Sequence, residues 1–281
     1  MDEQKIMATN LAKNYVIKEN GLFGRKKKII SAVQDISLEI PKGKIIGVLG
    51  INGAGKTTTI RMLASIIEPS SGMITMNGVD AVKNHRWVKE RINVISGGER
   101  NLYWRLTARE NLKYFGSLYG LSGVELKEII AELLKIVGLE EAADIPVERY
   151  SKGMKQRLQI ARGLINDPEY IFLDEPTLGL DIVIAKEIRT MIKELAQKEK
   201  KGVLLTTHYI SEAEELCDYI YVLDKGQMIA QGTKEELKDL FASEPKMVLQ
   251  EPGLEEILMK IIYRSRGEDS EESIFGNKSR N

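Results

Sequence analysis

Short apolar runs alternate with amphipathic stretches over residues 170–232. The runs "YIFLD", "VLLTTH" and "YIYVLD" are continuously apolar over a short length, as buried strands are. Between them, helical spacing through Ile188, Met191 and Leu195 predicts one helix, and a second is predicted from Ser211. Strands that alternate with helices form a largely parallel sheet with crossover connections. The pattern therefore predicts an α/β fold.

Residues 5–49 show the pattern of strands and turns. "KIMATNLAKNY" and "AVQDISLEI" predict strands on either side of a polar, basic insert. For the insert's run Arg25–Lys28 the favoured interpretation is a solvated loop, and the alternative is a contact with lipid headgroups or a partner. "PKGK" predicts a turn into the apolar strand Lys44–Leu49. Further on, Asn77-Gly78 predicts a tight hairpin turn.

A helical block interrupts the alternation from about residue 107 to 165. "TARE" at 107–110 and "SGVE" at 122–125 both have the spacing of a capping box, and Gly138 fits a helix end. The block is therefore predicted to stand apart as a helical lobe, with bounds of about 98–165.

The end of the chain carries a different pattern. "LEEILMKII" predicts a short amphipathic helix within residues 246–264, which we expect to pack on the end of the domain. Residues 265–281 are polar and lack apolar periodicity, so we expect a disordered tail.

Composition narrows the class of protein. The chain has 281 residues, 43% hydrophobic and 29% charged, which is typical of a globular protein. Its formal net charge is zero, which gives no argument for a nucleic-acid partner. The single cysteine, Cys217, excludes an internal disulfide and fits a reducing compartment. No signal peptide and no apolar run of membrane-spanning length is evident, so any membrane role is expected to act through a partner.

A glycine-rich stretch, "GINGAGKT", follows a predicted strand and opens a predicted helix. Glycines let the backbone close around phosphate oxygens, with successive N–H groups pointing inward. Lys56 is expected to reach the β- and γ-phosphates of a nucleotide, and Thr57 to bind Mg²⁺. The alternative is a glycine turn that only packs a helix on a sheet. The predicted nucleotide-binding residues are Gly50, Ile51, Asn52, Gly53, Ala54, Gly55, Lys56, Thr57 and Thr58.

Two carboxylates end the strand "YIFLDEP". Asp174 is placed to hold the Mg²⁺ water shell, and Glu175 to orient and deprotonate an attacking water. Without the phosphate loop, two such acids would more often be a solvated turn. His208 ends the run "VLLTTH", and the expected sheet order places it near Glu175. A contact with the γ-phosphate is the sharper interpretation and a structural histidine the alternative.

A second phosphate cradle is predicted in "YSKGMKQR". Ser151 and Gly153 lie where a loop becomes a helix, and such a helix start binds anions through free N–H groups. The first cradle already serves the chain's own nucleotide, so this one is left without a phosphate.

These motifs together resemble the ATP-binding subunit of an ABC transporter, over about residues 5–240. The resemblance implies a P-loop NTPase with a RecA-like core, an antiparallel β N-terminal part and an inserted helical lobe, with residues 1–245 as the ATP-binding domain. It also implies that the second cradle is the family's signature and binds the γ-phosphate of ATP held by another protomer. That cradle consists of Ser151, Lys152, Gly153 and Met154.

Other parts carry over by the same resemblance. Asp181 in "GLD" would cross a dimer interface, and Tyr15 would stack on adenine, with simple packing as its alternative. A glutamine that usually follows the strand "RINVI" is missing, which puts one Mg²⁺ contact in doubt; Glu99 is the nearest polar candidate. In "NLYW", Tyr103 and Trp104 either belong to the core of the lobe or form a docking surface for a membrane subunit.

The resemblance implies a function. Two copies, most simply a homodimer, would close on ATP with Mg²⁺ and open after hydrolysis, and a multi-span membrane subunit would convert this motion into transport. The subunit would lie in the cytoplasm, on the inner face of the cell membrane. The basic insert and the stretch "LYWRLTARENL" are similar to export systems for drugs, antibiotics or sodium. The alternatives are an importer subunit and an ABC-type ATPase that acts outside transport.

Overall fold

The structure is a computed structural model that describes residues 4–21, 24–97 and 102–242. It contains two sheets with helices around them. The strands are β1 Lys5–Gly21, β2 Gly24–Pro41, β3 Ile45–Leu49, β4 Ser71–Met76, β5 Val79–Asp80, β6 Ile92–Ser96, β7 Tyr170–Asp174, β8 Gly202–Thr207, β9 Tyr219–Asp224 and β10 Gln227–Gly232. The helices are α1 Lys56–Leu63, α2 His85–Lys89, α3 Ala108–Leu118, α4 Gly123–Ile136, α5 Lys152–Leu164, α6 Ile182–Gln197, α7 Ile210–Leu216 and α8 Lys234–Ala242.

The larger sheet has the strand order β10-β9-β3-β8-β7-β6 and is parallel except where β10 joins β9. Every residue of β3 and β8 is buried, as the continuous apolar runs predicted. In the register, Leu49 pairs with Thr207, and Asp174 pairs with both Thr206 and Ser96. The carboxyl ends of four strands therefore meet at one edge of the sheet.

The smaller sheet is antiparallel, with the order β2-β1-β4-β5. Apolar side chains of this sheet, of α1 and of one face of the larger sheet share a core. The turn at Asn77-Gly78 is confirmed, since both residues have a positive φ, of 49° and 80°, between β4 and β5. The Pro41–Lys44 turn also leads into β3 as predicted, with Gly43 at a φ of 77°.

The solvated loop expected at Arg25–Lys28 was wrong. These residues belong to β2, whose ladder with β1 continues to the pair Gly21 and Gly24. Ile17 pairs with Lys28 and Ile29 follows it in β2, and β-branched residues are common in strands. The side chains of Lys27 and Lys28 are exposed, so solvent contact and strand pairing coexist.

The helical block forms a lobe of α3, α4 and α5, whose apolar side chains share one cluster with the second face of the larger sheet and with α6. The capping box at Thr107 and Glu110 is confirmed, because each side chain accepts the other residue's backbone N–H, at 3.2 and 2.8 Å. The box expected at Ser122 was wrong, since this N-cap side chain accepts no backbone N–H. Gly123, the next residue, has a left-handed φ of 66°, which departs from a regular first turn. Gly138 follows α4 with a φ of 62°, as a helix end requires.

The sequence reading missed β10 and α8. The local signals were present: Lys225 and Gly226 both have a positive φ in the tight turn after β9, and Thr233 forms a capping box with Glu236. The helix predicted within 246–264 and the tail at 265–281 lie outside the described residues. Among the residues that are described, no helix has the length and apolar character needed to span a membrane.

Helix α5 lies directly against β6 at Gly163. A Cβ atom built on Gly163 would overlap Cδ1 and Cγ1 of Ile95, which is fully buried. The close approach of α5 to the edge strand β6 therefore depends on glycine, which has no side chain, at position 163.

Gly163→Ala is expected to destabilise the protein by about 1–3 kcal/mol, because the added methyl group overpacks this contact. At about 2–4 °C per kcal/mol for a domain of this size, the melting temperature should fall by several degrees. Ile95→Val removes one of the two overlapping atoms and should recover part of this loss in the double variant. An unchanged melting temperature in Gly163→Ala would contradict the tight contact.

Candidate functional site

The phosphate loop connects β3 with α1 through residues 50–55. Gly53 and Gly55 have φ values of 85° and 104°, a region that favours glycine. A Cβ atom on Gly50 would overlap the carbonyl oxygen of Leu223. The loop borders a cavity of about 300 Å³, lined by Ala32, Asn52, Gly53, Ala54, Gly55, Lys56, Thr57, Thr58 and Glu175. The predicted nucleotide-binding stretch is thus a closed turn around an open space.

Lys56 is held by the loop that precedes it. Its ammonium group donates to the carbonyl oxygens of Gly50 at 2.6 Å and Ile51 at 3.2 Å. Burial lowers the pKa of Lys56, and the negative charges of Glu175 and Asp174 raise it in part. The cation is therefore fixed at the loop, next to two carboxylates.

Asp174 and Thr57 lie together, as expected of residues that share a cation. The Thr57 hydroxyl donates to Asp174 Oδ2 at 3.1 Å, and the Thr206 hydroxyl donates to Oδ1 at 2.6 Å. A hydroxyl oxygen next to a carboxylate is a donor set that suits Mg²⁺, which takes few protein oxygens and keeps several waters. The residues present therefore fit this ion.

Glu175 and His208 also lie together, at the ends of β7 and β8. Nδ1 of His208 is 3.2 Å from Oε1 of Glu175. Glu175 has a left-handed φ of 52°, and its N–H donates to the carbonyl oxygen of Thr206 at 3.0 Å. A Cβ atom on Gly97 would overlap the Glu175 carbonyl oxygen. The left-handed backbone conformation of Glu175 costs of order 1–3 kcal/mol and persists only where its surroundings enforce it.

The second cradle begins α5. Ser151 is the N-cap, and its hydroxyl accepts the N–H of Met154 at 3.2 Å. The Lys152 ammonium donates to the carbonyl oxygen of Gly179 at 3.0 Å, and Gly153 leaves no room for a side chain beside Ile184. The hydrogen-bond partners described for Ser151 and Lys152 lie in α5 and in the loop after Glu175, not in the phosphate loop.

Asp181 is the N-cap of α6, where its carboxylate accepts the N–H of Ile184 at 3.0 Å. Apolar side chains next to it are open to solvent, with Ile182 83% and Val183 67% exposed. The sequence reading missed this patch, although two apolar residues at the exposed start of a helix were a usable signal.

The last two predicted site residues are Tyr15 and Glu99. Tyr15 is half-buried in β1, with the Lys13 ammonium 5.6 Å from its ring centroid, and does not line the phosphate-loop cavity. Glu99 lies outside the described residues.

Tyr103 and Trp104 are both 47% exposed, which excludes the interpretation that they are core residues. The Tyr103 ring meets the Tyr114 ring edge-on at 4.8 Å, and the Lys155 ammonium lies 4.7 Å from the Trp104 ring centroid. Buried Asn111 exchanges hydrogen bonds with the N–H and carbonyl group of Tyr103, at 2.8 and 3.0 Å. The sequence analysis did not identify Asn111, which holds the backbone of Tyr103 next to Trp104.

A buried carboxyl in α7, the helix that follows His208, was also missed. Glu212 is 1% exposed, and its Oε1 accepts the Thr177 hydroxyl at 2.7 Å. Burial raises the pKa of Glu212, while the hydrogen bond from Thr177 and the charge of Arg189 lower it in part.

Known proteins are similar to this chain in both sequence and fold. Residues 33–178 match the family described as ABC transporter. The chain is 47% identical over 222 residues to the ABC transporter ATP-binding protein NatA of Bacillus subtilis, which covers 79% of this chain and 90% of that protein. It is 38% identical over 240 residues to the linearmycin resistance ATP-binding protein LnrL of the same organism, over 85% of this chain and 75% of that one.

A solved structure of an ATP-binding cassette dimer, in a post-hydrolysis state with ADP and Pi, has a similar fold. The TM-score is 0.71 at 26% sequence identity, over 81% of this chain and 98% of that chain.

Proposed function

Because this chain belongs to the ABC transporter family, we propose that it is the ATPase of an export system and drives transport through a membrane partner. It binds and hydrolyses ATP. The observation that carries the assignment is the meeting of the phosphate loop, the Thr57 and Asp174 pair and the Glu175 and His208 pair at one sheet edge. Each pair contributes a different part of phosphoryl transfer.

Lys56 and the N–H groups of residues 50–58 bind the phosphates. The Lys56 ammonium, now on the carbonyl oxygens of Gly50 and Ile51, moves to the β- and γ-phosphate oxygens when ATP fills the cavity. Thr57 and Asp174 hold Mg²⁺, which when bound neutralises charge on the transferred group. Tyr15 supports the adenine ring from the N-terminal sheet, and Glu99 takes the place of the missing glutamine near the ion.

Glu175 acts as the general base. It takes a proton from the water that attacks the γ-phosphorus, while His208 donates a hydrogen bond to the γ-phosphate. The 3.2 Å approach of His208 Nδ1 to Glu175 Oε1 supports these roles, since each side chain restricts the orientation of the other.

The second cradle serves ATP on another copy of the chain. Ser151, Lys152, Gly153 and Met154 would complete that neighbour's site, which agrees with the described hydrogen-bond partners of Ser151 and Lys152, none of which lies in the phosphate loop. Asp181 and the exposed Ile182 and Val183 would be covered in the same contact. We favour a homodimer because the chain carries both halves of a composite site.

Tyr103 and Trp104 are the proposed docking surface for a multi-span membrane subunit, which would hold this subunit at the inner face of the cell membrane. Their exposure supports this assignment, because large aromatic side chains at a surface are typical anchors of protein contacts. Export is favoured over import by the relative that is named for linearmycin resistance.

Glu175→Gln is expected to bind ATP normally and to lose nearly all hydrolysis, because an amide cannot accept the proton. Lys56→Ala should instead weaken nucleotide binding itself. ATPase rates and equilibrium binding of ATP measured on both variants separate the two effects. Wild-type turnover by Glu175→Gln would overturn the assignment of the base.

Mixing two inactive variants tests the composite site. A dimer of one Lys56→Ala subunit and one Ser151→Arg subunit places both defects in one site and leaves the other site intact. Some ATPase activity should therefore return on mixing, relative to either variant alone. If mixed dimers are isolated by two affinity tags and show no recovery, the cradle serves its own chain.

Trp104→Ala is expected to leave the subunit folded and able to bind ATP, and to reduce transport and co-purification with the membrane subunit. Ile66→Ala is the matched control, since Ile66 is 55% exposed on a different surface. A large fall in melting temperature for Trp104→Ala would show a structural role instead. Wild-type co-purification and transport by a stable variant would also reject the docking surface.

A further inference from the structure

The proposed mechanism leaves Glu212 unused, although the structure buries its carboxyl against the loop that follows Glu175. Glu212 lies in the first turn of α7 and is 1% exposed, and Thr177, its hydrogen-bond partner, is 6% exposed. Burying a carboxyl costs free energy unless it forms compensating contacts. An acid retained at such a place therefore calls for an explanation in terms of what it holds.

Glu212 joins the chain segments that carry the two proposed reacting residues. Thr177, which donates to Glu212 Oε1 at 2.7 Å, comes two residues after Glu175. Helix α7, which carries Glu212, begins two residues after His208. One side chain thus connects the loop that follows the general base to the helix that follows the histidine.

Within the loop of residues 175–181, backbone hydrogen bonds link the position of Thr177 to both ends of the loop. The Leu178 N–H donates to the Glu175 carbonyl oxygen at 3.2 Å, and the Leu180 N–H donates to the Thr177 carbonyl oxygen at 3.1 Å. At its start the loop must keep Glu175 in a left-handed conformation, which requires support from outside. At its end it leads into Asp181, the N-cap of α6.

We propose that Glu212 is a positioning residue: by holding Thr177 it fixes the Glu175 carboxylate relative to the attacking water. This inference rests on the proposed function of Glu175 as the base. A displacement of about 1 Å in a reacting group can cost about 10²-fold in rate, so loss of this one hydrogen bond is enough to lower turnover. Nucleotide binding, which depends on the phosphate loop, is not affected.

Isosteric variants test this from both ends of the bond. Thr177→Val removes the donor, Glu212→Leu removes the acceptor, and each is expected to lower kcat about tenfold or more, within the range that misplacement explains. The affinity for ATP and KM should stay within about twofold of wild type. Glu212→Gln keeps an acceptor oxygen at the same place, so it should retain kcat within about twofold.

The double variant Thr177→Val with Glu212→Leu should have the kcat of the slower single variant, because both changes break the same hydrogen bond. Thr190→Val is the control: it removes a hydroxyl that donates to a backbone carbonyl on the exposed side of α6. Wild-type kcat in Thr177→Val would overturn the inference, as would independent, multiplying losses in the double variant. If Glu212→Leu does not fold, Thr177→Val decides alone.

Glu175→Gln measured in parallel separates this inference from the one beneath it. Full hydrolysis by Glu175→Gln removes the proposed base, and the positioning role fails with it. An inactive Glu175→Gln together with a fully active Thr177→Val leaves the base in place and rejects only the role of Glu212.

Discussion

The register of β7 between β6 and β8 is the constraint on which the rest of the site depends. Asp174 pairs with Ser96 on one side and with Thr206 on the other, so three strands end within one residue of one another. The same register brings the Thr206 hydroxyl to Asp174 and the Thr206 carbonyl oxygen to the N–H of Glu175. A shift of β7 by one residue would exchange the side chains on the two faces of the sheet and move Asp174 away from Thr206, and no site would form.

A helical lobe extends from this edge and brings a second set of groups. Its contact with the sheet is close because Gly163 has no side chain where α5 meets Ile95. Its surface aromatic pair is held from below by Asn111, whose amide satisfies the backbone of Tyr103 in a buried position. Small and polar residues therefore act together with the apolar cluster that the lobe shares with the larger sheet.

Most of the fold and the main residues of the candidate site could be predicted from the sequence, because strand periodicity and the phosphate loop are local signals. Residues 50–57, Asp174 and Glu175 are read from adjacent positions, and the end of a parallel strand fixes where they lie. Asn111 and Glu212 were not found, because their partners are eight and 35 residues away and only the fold brings them together. The outer part of the β1 and β2 ladder was missed for the opposite reason: the lysines there favoured solvent, while backbone pairing is indifferent to side-chain charge.

The contact of Lys152 with Gly179 has a consequence for how much ATP the cell consumes. Together with Gly153 against Ile184, it joins the start of α5 to the loop after Glu175 and to the first turn of α6 within a single chain. If the start of α5 and this loop serve a neighbour's ATP, they arrive and depart as one rigid unit. A solitary subunit would then hold nucleotide next to its own base and still lack the cradle that completes the reaction. Idle copies awaiting a transporter would not deplete the ATP pool.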